Sequence, residues 1–246
     1  MQLRPKTQIL HVILMATIVF AVCLIFTGTS TPTSRPLVRA SVIKHVPVFG
    51  QTIPTAGPAG TIYLSFDDGP SIVTTPHVLQ VLSQFGARAT FFTIGYNVVR
   101  YPQLIEQEYL QGNSVQNHTY DHISLKGTNQ DVFNSEVNRD QAAITSADGV
   151  APACVRAPYD DFNQETIDRL HAMNMNLIGW NIDSNDWRNP GVPQILQNVL
   201  GSVKSGDIIL MHDGGGYDRT QTIEALQQLI PALRDRGFGF GLLCNR

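Results

Sequence analysis

Four side chains in two short segments have the types and the spacing of a metal-dependent hydrolytic site. Asp67 and Asp68 are adjacent acids, and His118 and His122 are four residues apart. Two imidazoles and one carboxylate can bind a catalytic divalent cation and leave a coordination position open. One helical turn between the histidines would place both rings on the same face. We therefore expect Asp68, His118 and His122 to bind a divalent cation.

The second acid of the pair would remain available for proton transfer. Asp67 could accept a proton from a water molecule bound to the cation, so that one dipeptide would supply both a ligand and a base. Each half of this interpretation has a simpler alternative. Asp-Gly-Pro is ordinary turn chemistry, and two histidines at this spacing commonly lie on a solvated surface.

Two further residues could complete the acid–base chemistry. Arg156 lies in a chain with few charges and would pair with a carboxylate, for which Asp67 is the natural candidate if the strand ends converge. A solvated loop is the alternative setting for Arg156. His212 precedes Asp213 and three glycines, where the backbone can approach a ligand closely, and it is the best general acid in the sequence.

These residues follow short apolar segments of the kind that form buried parallel strands. From residue 61 onward, such segments alternate with helix-period segments that are bounded by proline and glycine. Reactive side chains in β/α folds gather where strands end, so this pattern would bring them together. Seven strand candidates favour a barrel over an open sheet; they are residues 61–66, 89–94, 114–117, 154–157, 176–182, 207–211 and 238–243.

The first 60 residues differ in composition from the rest of the chain. Residues 9–28 are almost entirely apolar and follow Arg4 and Lys6. This segment is long enough to cross a bilayer and predicts a signal peptide or an N-terminal membrane anchor over residues 1–28, with the body outside the cytoplasm. Residues 29–60, rich in Thr, Ser and Pro, are predicted to be a linker, and residues 61–246 the catalytic domain.

Composition excludes some classes of partner. Only 15% of the 246 residues are charged, and all 20 acidic residues but only 13 of the 17 basic ones follow residue 40. A body with this acidic excess lacks the basic surface that phosphates require, so nucleic acid is not expected as a partner. A neutral or sugar-like substrate is easier to accommodate.

Two cysteines lie in the predicted body, Cys154 and Cys244. We expect them to be buried thiols. Two cysteines outside the cell can also pair, and their separation in sequence leaves that alternative open.

Five segments together resemble one enzyme family. SFDDGP, HTYDH, RAPY, DSNDW and LMHD occur in the order and at the spacing found in polysaccharide deacetylases of the NodB-homology type, carbohydrate esterase family 4. The resemblance covers roughly residues 60–243. It implies a distorted, incomplete (β/α)7 barrel, in agreement with the seven strand candidates.

The resemblance also implies roles for individual residues. Asp68, His118 and His122 would bind the metal, usually zinc, with cobalt or another divalent ion as the alternative. Asp67 would be the general base, held by Arg156.

The remaining roles concern the leaving group and the acetyl group. His212 would protonate the leaving amine, with Asp186 orienting its ring. The backbone N–H of Tyr159 would help to bind the tetrahedral oxyanion, and Trp187 and Leu210 would form the wall of the pocket for the acetyl methyl group.

One residue departs from the family pattern. The family commonly has Gly after the Arg-x-Pro-Tyr element, whereas Asp160 follows Tyr159 here. If the turn needs a positive φ at this position, Asp is tolerated less readily than Gly. The departure would therefore affect the Tyr159 N–H and leave the metal site intact.

The implied activity is hydrolysis of N-acetyl groups from an extracytoplasmic glycan that contains N-acetylglucosamine, either peptidoglycan or chitin-type, to give a free amine and acetate. An O-acetylxylan esterase with the same site and a non-catalytic module that binds cell-wall glycan are the alternatives. We expect a monomer that acts on an acetylated polysaccharide and that contacts the membrane through its N-terminal segment if that segment is not cleaved.

Overall fold

The computed structural model describes residues 59–216 and 218–244. In these ranges strands alternate with helices. The strands are β1 (Gly60–Asp67), β2 (Ala89–Thr93), β3 (Ser114–Asn117), β4 (Cys154–Val155), β5 (Asn176–Leu177), β6 (Ile182–Asp183), β7 (Ile208–His212) and β8 (Phe238–Phe240). The α-helices are α1 (Thr75–Gln84), α2 (Gly95–Arg100), α3 (Pro102–Leu110), α4 (Gln130–Asp148), α5 (Gln164–Ala172), α6 (Val192–Leu200) and α7 (Thr220–Asp235). Pro158–Asp160 and Asp186–Arg188 form short 3-10 helices.

The strands form one curled, parallel sheet. Seven of them lie in the order β5-β4-β3-β2-β1-β7-β6, and β8 pairs with the first residues of β1. No ladder between β5 and β6 closes the two ends of this order in the part of the chain described above. The prediction of a distorted, incomplete (β/α)7 barrel is confirmed.

The fifth predicted strand, residues 176–182, is wrong as a single element. It consists of two strands of two residues each, Asn176–Leu177 and Ile182–Asp183. The reason lies in the strand order: β5 pairs with β4, whereas β6 pairs with β7 at the opposite end of the sheet. Residues 178–181 must therefore cross the open side of the barrel between them.

Alternation along the strands separates the apolar core beneath the helices from the side chains that line the inside of the barrel. In β1, Ile62, Leu64 and Phe66 belong to the core cluster beneath the helices, so Ser65 and Asp67 point to the other face. The same alternation in β7 places His212 on that second face. Asp67 and His212 are partners in the parallel register of β1 and β7. The sheet thus brings an acid and an imidazole together at its carboxyl edge.

The last described residues cross the opposite end of the sheet, which we call the base of the barrel. The Leu243 N–H donates to Thr90 Oγ1 at 2.9 Å, and Ser114 Oγ donates to the Leu243 carbonyl at 2.9 Å. Cys244 then forms a disulfide with Cys154, with Cα atoms 6.1 Å apart. The expectation of two buried thiols is therefore wrong. The two residues are separated by 90 positions, and only the path of the chain across the base brings them together.

The predicted signal or anchor over residues 1–28 lies outside the described residues, as does the predicted linker up to residue 58. The first described strand, β1, starts at Gly60. Within the ranges given above, none of the helices has the length and apolar character that crossing a bilayer requires.

Candidate active site

Asp68, His118 and His122, which we call the ligand trio, meet at the carboxyl edge of the sheet. Asp68 Oδ1 lies 3.1 Å from His122 Nε2 and 3.5 Å from His118 Nε2. One ligand atom from each residue lies within 4.8 Å of the other two. A tetrahedral zinc ion with bonds of about 2.0–2.1 Å would hold its ligand atoms about 3.3 Å apart. The donor set and its spacing therefore fit such a cation.

The second ring nitrogen of each histidine is hydrogen-bonded to the protein. His118 Nδ1 lies 2.7 Å from the Arg156 carbonyl oxygen. Because a carbonyl oxygen only accepts, Nδ1 carries a proton, so Nε2 is the ring atom that would present a lone pair to a cation. His122 Nδ1 lies 3.1 Å from the Tyr159 hydroxyl, which donates to the His122 carbonyl oxygen at 3.3 Å. Such contacts orient a histidine toward a metal.

Asp68 is held as an anion. Burial alone would raise the pKa of its carboxyl group, but hydrogen bonds with His118 and His122 and the charges of His118 and His212 outweigh burial and keep this pKa well below its ordinary value. The residue adopts a left-handed backbone with φ of 72°, and Asn97 Nδ2 donates to its carbonyl oxygen at 3.0 Å. This turn directs the carboxylate toward the two imidazoles.

The two histidines do not share a helical turn, so that part of the prediction is wrong. β3 ends at Asn117, and the loop after it has positive φ at Thr119 (66°) and His122 (56°). The loop carbonyls of Thr119 and Tyr120 accept hydrogen bonds from the backbone of α2 at 3.1 and 3.0 Å. Because these carbonyls bond to a neighbouring element, the segment folds as a loop that nevertheless brings both rings to Asp68.

Asp67 and Arg156, the Asp–Arg pair, lie beside the ligand trio. Arg156 Nη1 donates to Asp67 Oδ1 at 2.6 Å, and both side chains are buried. The other carboxylate oxygen, Oδ2, lies 3.8 Å from His118 Nε2. One oxygen of Asp67 is thus fixed by the guanidinium, and the other faces the candidate metal site.

His212 and Asp186, the His–Asp pair, lie on the other side of Asp67. His212 Nδ1 lies 2.8 Å from Asp186 Oδ1, and the His212 N–H donates to Asp186 Oδ2 at 2.8 Å. Thr222 Oγ1 donates to the same Oδ2 atom at 2.8 Å. Burial would lower the pKa of His212, but the Asp186 carboxylate outweighs it, and the pKa is raised above its ordinary value. The pair therefore favours a protonated imidazole.

The turn at Tyr159 explains the unusual Asp160. Tyr159 and Asp160 have φ of 62° and 54°, so the backbone is left-handed at both residues. Asp is among the residues that adopt this conformation most readily after Gly. The Tyr159 side chain is 72% exposed, and its ring packs edge-on against His122 with centroids 4.8 Å apart. Tyr159 therefore lies at the rim of the candidate metal site.

Trp187 and Leu210 both adjoin the His–Asp pair. Leu210 is buried in β7 two residues before His212 and so points to the same face of the strand. Trp187 follows Asp186 in the second 3-10 helix and is 43% exposed. Both residues thus lie on the two elements that carry His212 and Asp186.

Comparison with known proteins identifies the family. The model of the polysaccharide deacetylase family matches residues 55–178. A chitooligosaccharide deacetylase of Sinorhizobium fredii is 38% identical over 199 residues, which cover 76% of this chain and 93% of the relative. This chain belongs to the polysaccharide deacetylase family. The resemblance of the five segments is therefore confirmed.

Two further comparisons agree with this assignment. A peptidoglycan-N-acetylglucosamine deacetylase of Bacillus cereus is 35% identical over 181 residues, covering 73% of this chain and 84% of the relative. The crystal structure of a peptidoglycan N-acetylglucosamine deacetylase aligns with a TM-score of 0.73 at 30% identity, covering 76% of this chain and 89% of that one. The polysaccharide deacetylase fold thus extends through the C-terminal half of this chain.

Several polar contacts in this polysaccharide deacetylase are missed by analysis of the sequence. Asp140 Oδ2 in α4 accepts from the His118 N–H at 2.9 Å, Ser65 Oγ accepts from Arg156, and Thr222 donates to Asp186. A signal for Asp140 exists, because it falls on the buried stripe of α4 that includes Val137 and Ile144. Buried Glu136 lies on the same stripe, and an acidic residue at such a buried position predicts a buried partner.

The His–Asp pair of this polysaccharide deacetylase should make stability depend on pH. Folding raises the pKa of His212, so its contribution to stability is complete below about pH 6.5. Folding lowers the pKa of Asp186, so its contribution is complete above about pH 3.8. Both contributions are therefore complete between these two pH values. We expect His212→Gln to lose about 1.5–3 kcal/mol of unfolding free energy at pH 5, as for a hydrogen bond between charged groups. The loss should shrink as pH rises through the His212 pKa.

Urea unfolding of chelator-treated wild type and variant at pH 5, 7 and 9 measures this difference. His77→Gln is the matched control, since His77 is exposed on α1 and should show no such dependence. A difference for His212→Gln that is constant from pH 5 to pH 9 would contradict the expected linkage.

Proposed function

We propose that this chain is a metal-dependent deacetylase that removes N-acetyl groups from a glycan containing N-acetylglucosamine, either peptidoglycan or chitin-type. One observation carries the proposal: the ligand trio, the buried Asp–Arg pair and the His–Asp pair lie together at the carboxyl edge of the sheet. Amide hydrolysis needs assistance at both the carbonyl and the leaving nitrogen. This arrangement offers a group for each.

A divalent cation bound by the ligand trio, zinc first and cobalt as the alternative, would polarise the acetyl carbonyl and lower the pKa of water. The chain's own residues prepare that position. The two histidines present Nε2, since their Nδ1 atoms are engaged with the Arg156 carbonyl and the Tyr159 hydroxyl. Asp68 contributes a negative charge that partly neutralises the cation.

Asp67 is the proposed general base. Its Oδ1 atom is occupied by Arg156, which leaves Oδ2 to accept a proton from the attacking water. Arg156 also restricts rotation of the carboxylate, because its Nη1 is itself held by a hydrogen bond to Ser65 Oγ at 2.9 Å. The base is therefore fixed before the substrate arrives.

His212 is the proposed general acid. The acid must carry a proton when the C–N bond breaks, because an amide anion is a poor leaving group. Asp186 favours the protonated ring and holds Nδ1, so that Nε2 remains to donate to the departing amine. Asp67 and His212 lie side by side on adjacent strands and can serve the two ends of the same bond.

Three residues are proposed to position the acetyl group. The Tyr159 backbone N–H would donate to the oxyanion of the tetrahedral intermediate, a contribution of about 2.7–4 kcal/mol for one donor. Leu210 and Trp187 would enclose the methyl group beside the general acid. The left-handed turn at Tyr159 and Asp160 is compatible with this role, since it forms with Asp in place of Gly.

The choice of substrate rests on relatives and on charge. The relatives reported above are deacetylases of chitooligosaccharide and of N-acetylglucosamine in peptidoglycan. The low charge of the sequence is compatible with a neutral sugar chain. We therefore place N-acetylglucosamine glycans before O-acetylated xylan.

The proposed location is extracytoplasmic, with the protein secreted or anchored by residues 9–28. Two observations support it. That segment has the length and apolar character of a signal or anchor, and Cys154 and Cys244 form a disulfide, a bond that persists in oxidising compartments. An uncleaved segment would make the membrane a second partner beside the glycan.

His212→Ala should reduce amide hydrolysis more than ester hydrolysis. We expect kcat to fall about 10²–10⁴-fold on N-acetyl substrates. The loss on an activated aryl acetate should be less than about tenfold, because its leaving group departs without a proton. Parallel assays on chitooligosaccharides and 4-nitrophenyl acetate measure the ratio. Equal losses on the two substrates would contradict the role of His212 as acid.

The experiment that tests the proposed function is acetate release by the full chain from chitooligosaccharides, peptidoglycan fragments and acetylated xylan. Each substrate is assayed with chelator, and again after zinc or cobalt is restored. We expect release from the N-acetyl glycans, abolished by chelator and restored by metal. Release from xylan alone would indicate the esterase instead. Glycan binding without acetate release would indicate the non-catalytic module.

A further inference from the structure

Arg156 carries a charge that is removed from water. Its side chain is fully buried; Nη1 donates to Asp67 and Ser65, and Nη2 donates to the Gly179 carbonyl oxygen at 3.2 Å. Its Nε atom has no hydrogen-bond partner in the described part of the chain. Burying a guanidinium with a single carboxylate and an unpaired N–H is costly, so this site needs a further source of stabilisation.

Two aromatic rings provide that stabilisation. The Arg156 Cζ atom lies 4.0 Å from the ring centroid of Phe92 and 5.6 Å from that of Trp180. Both distances are within the roughly 6 Å over which a ring quadrupole attracts a cation, and the attraction is greater when the pair is desolvated. Phe92 is the closer ring and is itself fully buried.

The Phe92 ring is supported from the base of the barrel. Phe92 belongs to the apolar cluster that contains Cys154 and Leu243, against which Trp180 and Cys244 also pack. The disulfide and the hydrogen bonds of Leu243 fix the end of the chain beneath this cluster. The ring is therefore held between the closed base and the guanidinium.

We propose that Phe92 is a positioning residue of the hydrolytic reaction, which acts by holding the Arg156 guanidinium where it fixes Asp67. The proposal rests on the function proposed above. Without the ring face, the guanidinium would lose a favourable contact on its buried side and reorient, and Asp67 would be released from its place beside the metal site. The three ligands are other side chains and should still bind metal.

The chain contains a matched control for this role. Phe91 precedes Phe92 on β2, is equally buried, and points to the opposite face. It stacks on Phe66 with centroids 5.3 Å apart and belongs to the core beneath the helices. Withdrawing electron density from the Phe91 ring therefore affects its packing in the core but weakens no attraction to a cation.

The test replaces each phenylalanine in turn with 4-fluoro-, 3,5-difluoro- and 3,4,5-trifluorophenylalanine in the full chain. Fluorination withdraws electron density from the ring face and changes its shape little, so it weakens attraction to a cation in steps. At Phe92, we expect kcat for acetate release to fall stepwise to about one tenth, with KM and metal content unchanged. At Phe91, kcat should change less than about twofold.

Nitrogen NMR of metal-free protein gives a readout that is independent of turnover. In protein labelled with ¹⁵N-arginine, the Arg156 Nη signals should be separate in the wild type and should broaden as Phe92, but not Phe91, is fluorinated. If the wild-type protein deacetylates no glycan, the proposed function is wrong. The Arg156 Nη signals then still show whether Phe92 holds the guanidinium in place. Unchanged Arg156 signals and kcat with trifluorinated Phe92, or an equal response at both positions, would overturn the proposal.

Discussion

Asp67→Asn should lower kcat for acetate release about 10²–10⁴-fold, the range expected when a general base is removed. In the wild type, Arg156 Nη1 donates to Asp67 Oδ1 at 2.6 Å. The amide of the variant has nearly the same shape as the carboxylate and can still accept this hydrogen bond. It cannot accept the proton that the reaction requires. Because Asp67 is not part of the ligand trio, metal content should remain at the wild-type level.

Steady-state kinetics together with elemental analysis of the purified variant measures both expectations. Asp168→Asn is the matched control, because Asp168 is exposed on α5, and it should retain full activity. An Asp67→Asn protein that releases acetate at close to the wild-type rate would show that another group serves as the base.

His118→Ala should remove both metal and activity. It deletes one of three ligands, so we expect the affinity for zinc to fall by at least about 100-fold. Removing a residue that only hydrogen-bonds to a ligand usually costs less than this. Acetate release should then fall below detection at equimolar zinc. His118 is buried and hydrogen-bonded to the Arg156 carbonyl oxygen, so the substitution also leaves a cavity.

A second variant separates loss of the ligand from loss of the fold. His118→Gln fills more of the cavity, and circular dichroism should show a folded protein that still lacks metal. His77→Ala, at an exposed histidine on α1, should bind zinc as the wild type does. A folded His118→Gln protein with a full complement of zinc would exclude His118 as a ligand.

The sequence predicts the residues at the strand ends well because local patterns determine them. Asp67 and His212 follow apolar segments that form β1 and β7, and parallel strands bring their carboxyl ends to one edge. The pairing of Asp67 with Arg156 also follows from charge, since a guanidinium in a body with few charges needs a carboxylate. These features need only strand positions and elementary electrostatics.

Features that depend on the path of the chain are not predicted. The division of residues 176–182 follows from pairing at opposite ends of the sheet, and the disulfide of Cys154 with Cys244 follows from the course of the last residues across the base. The loop from His118 to His122 has helical spacing, but its carbonyls bond to α2. In each case a distant element decides the local conformation.

The base of the barrel gathers both ends of the described body. β1 begins there at Gly60, and Cys244 is bonded there, whereas Asp67 lies seven residues further along β1, about 23 Å away at the usual rise of a strand. An enzyme attached to a bead or an electrode through either end of this described body would consequently present its candidate active site on the side away from the support. Long, insoluble polymers could then reach it without steric obstruction from the support.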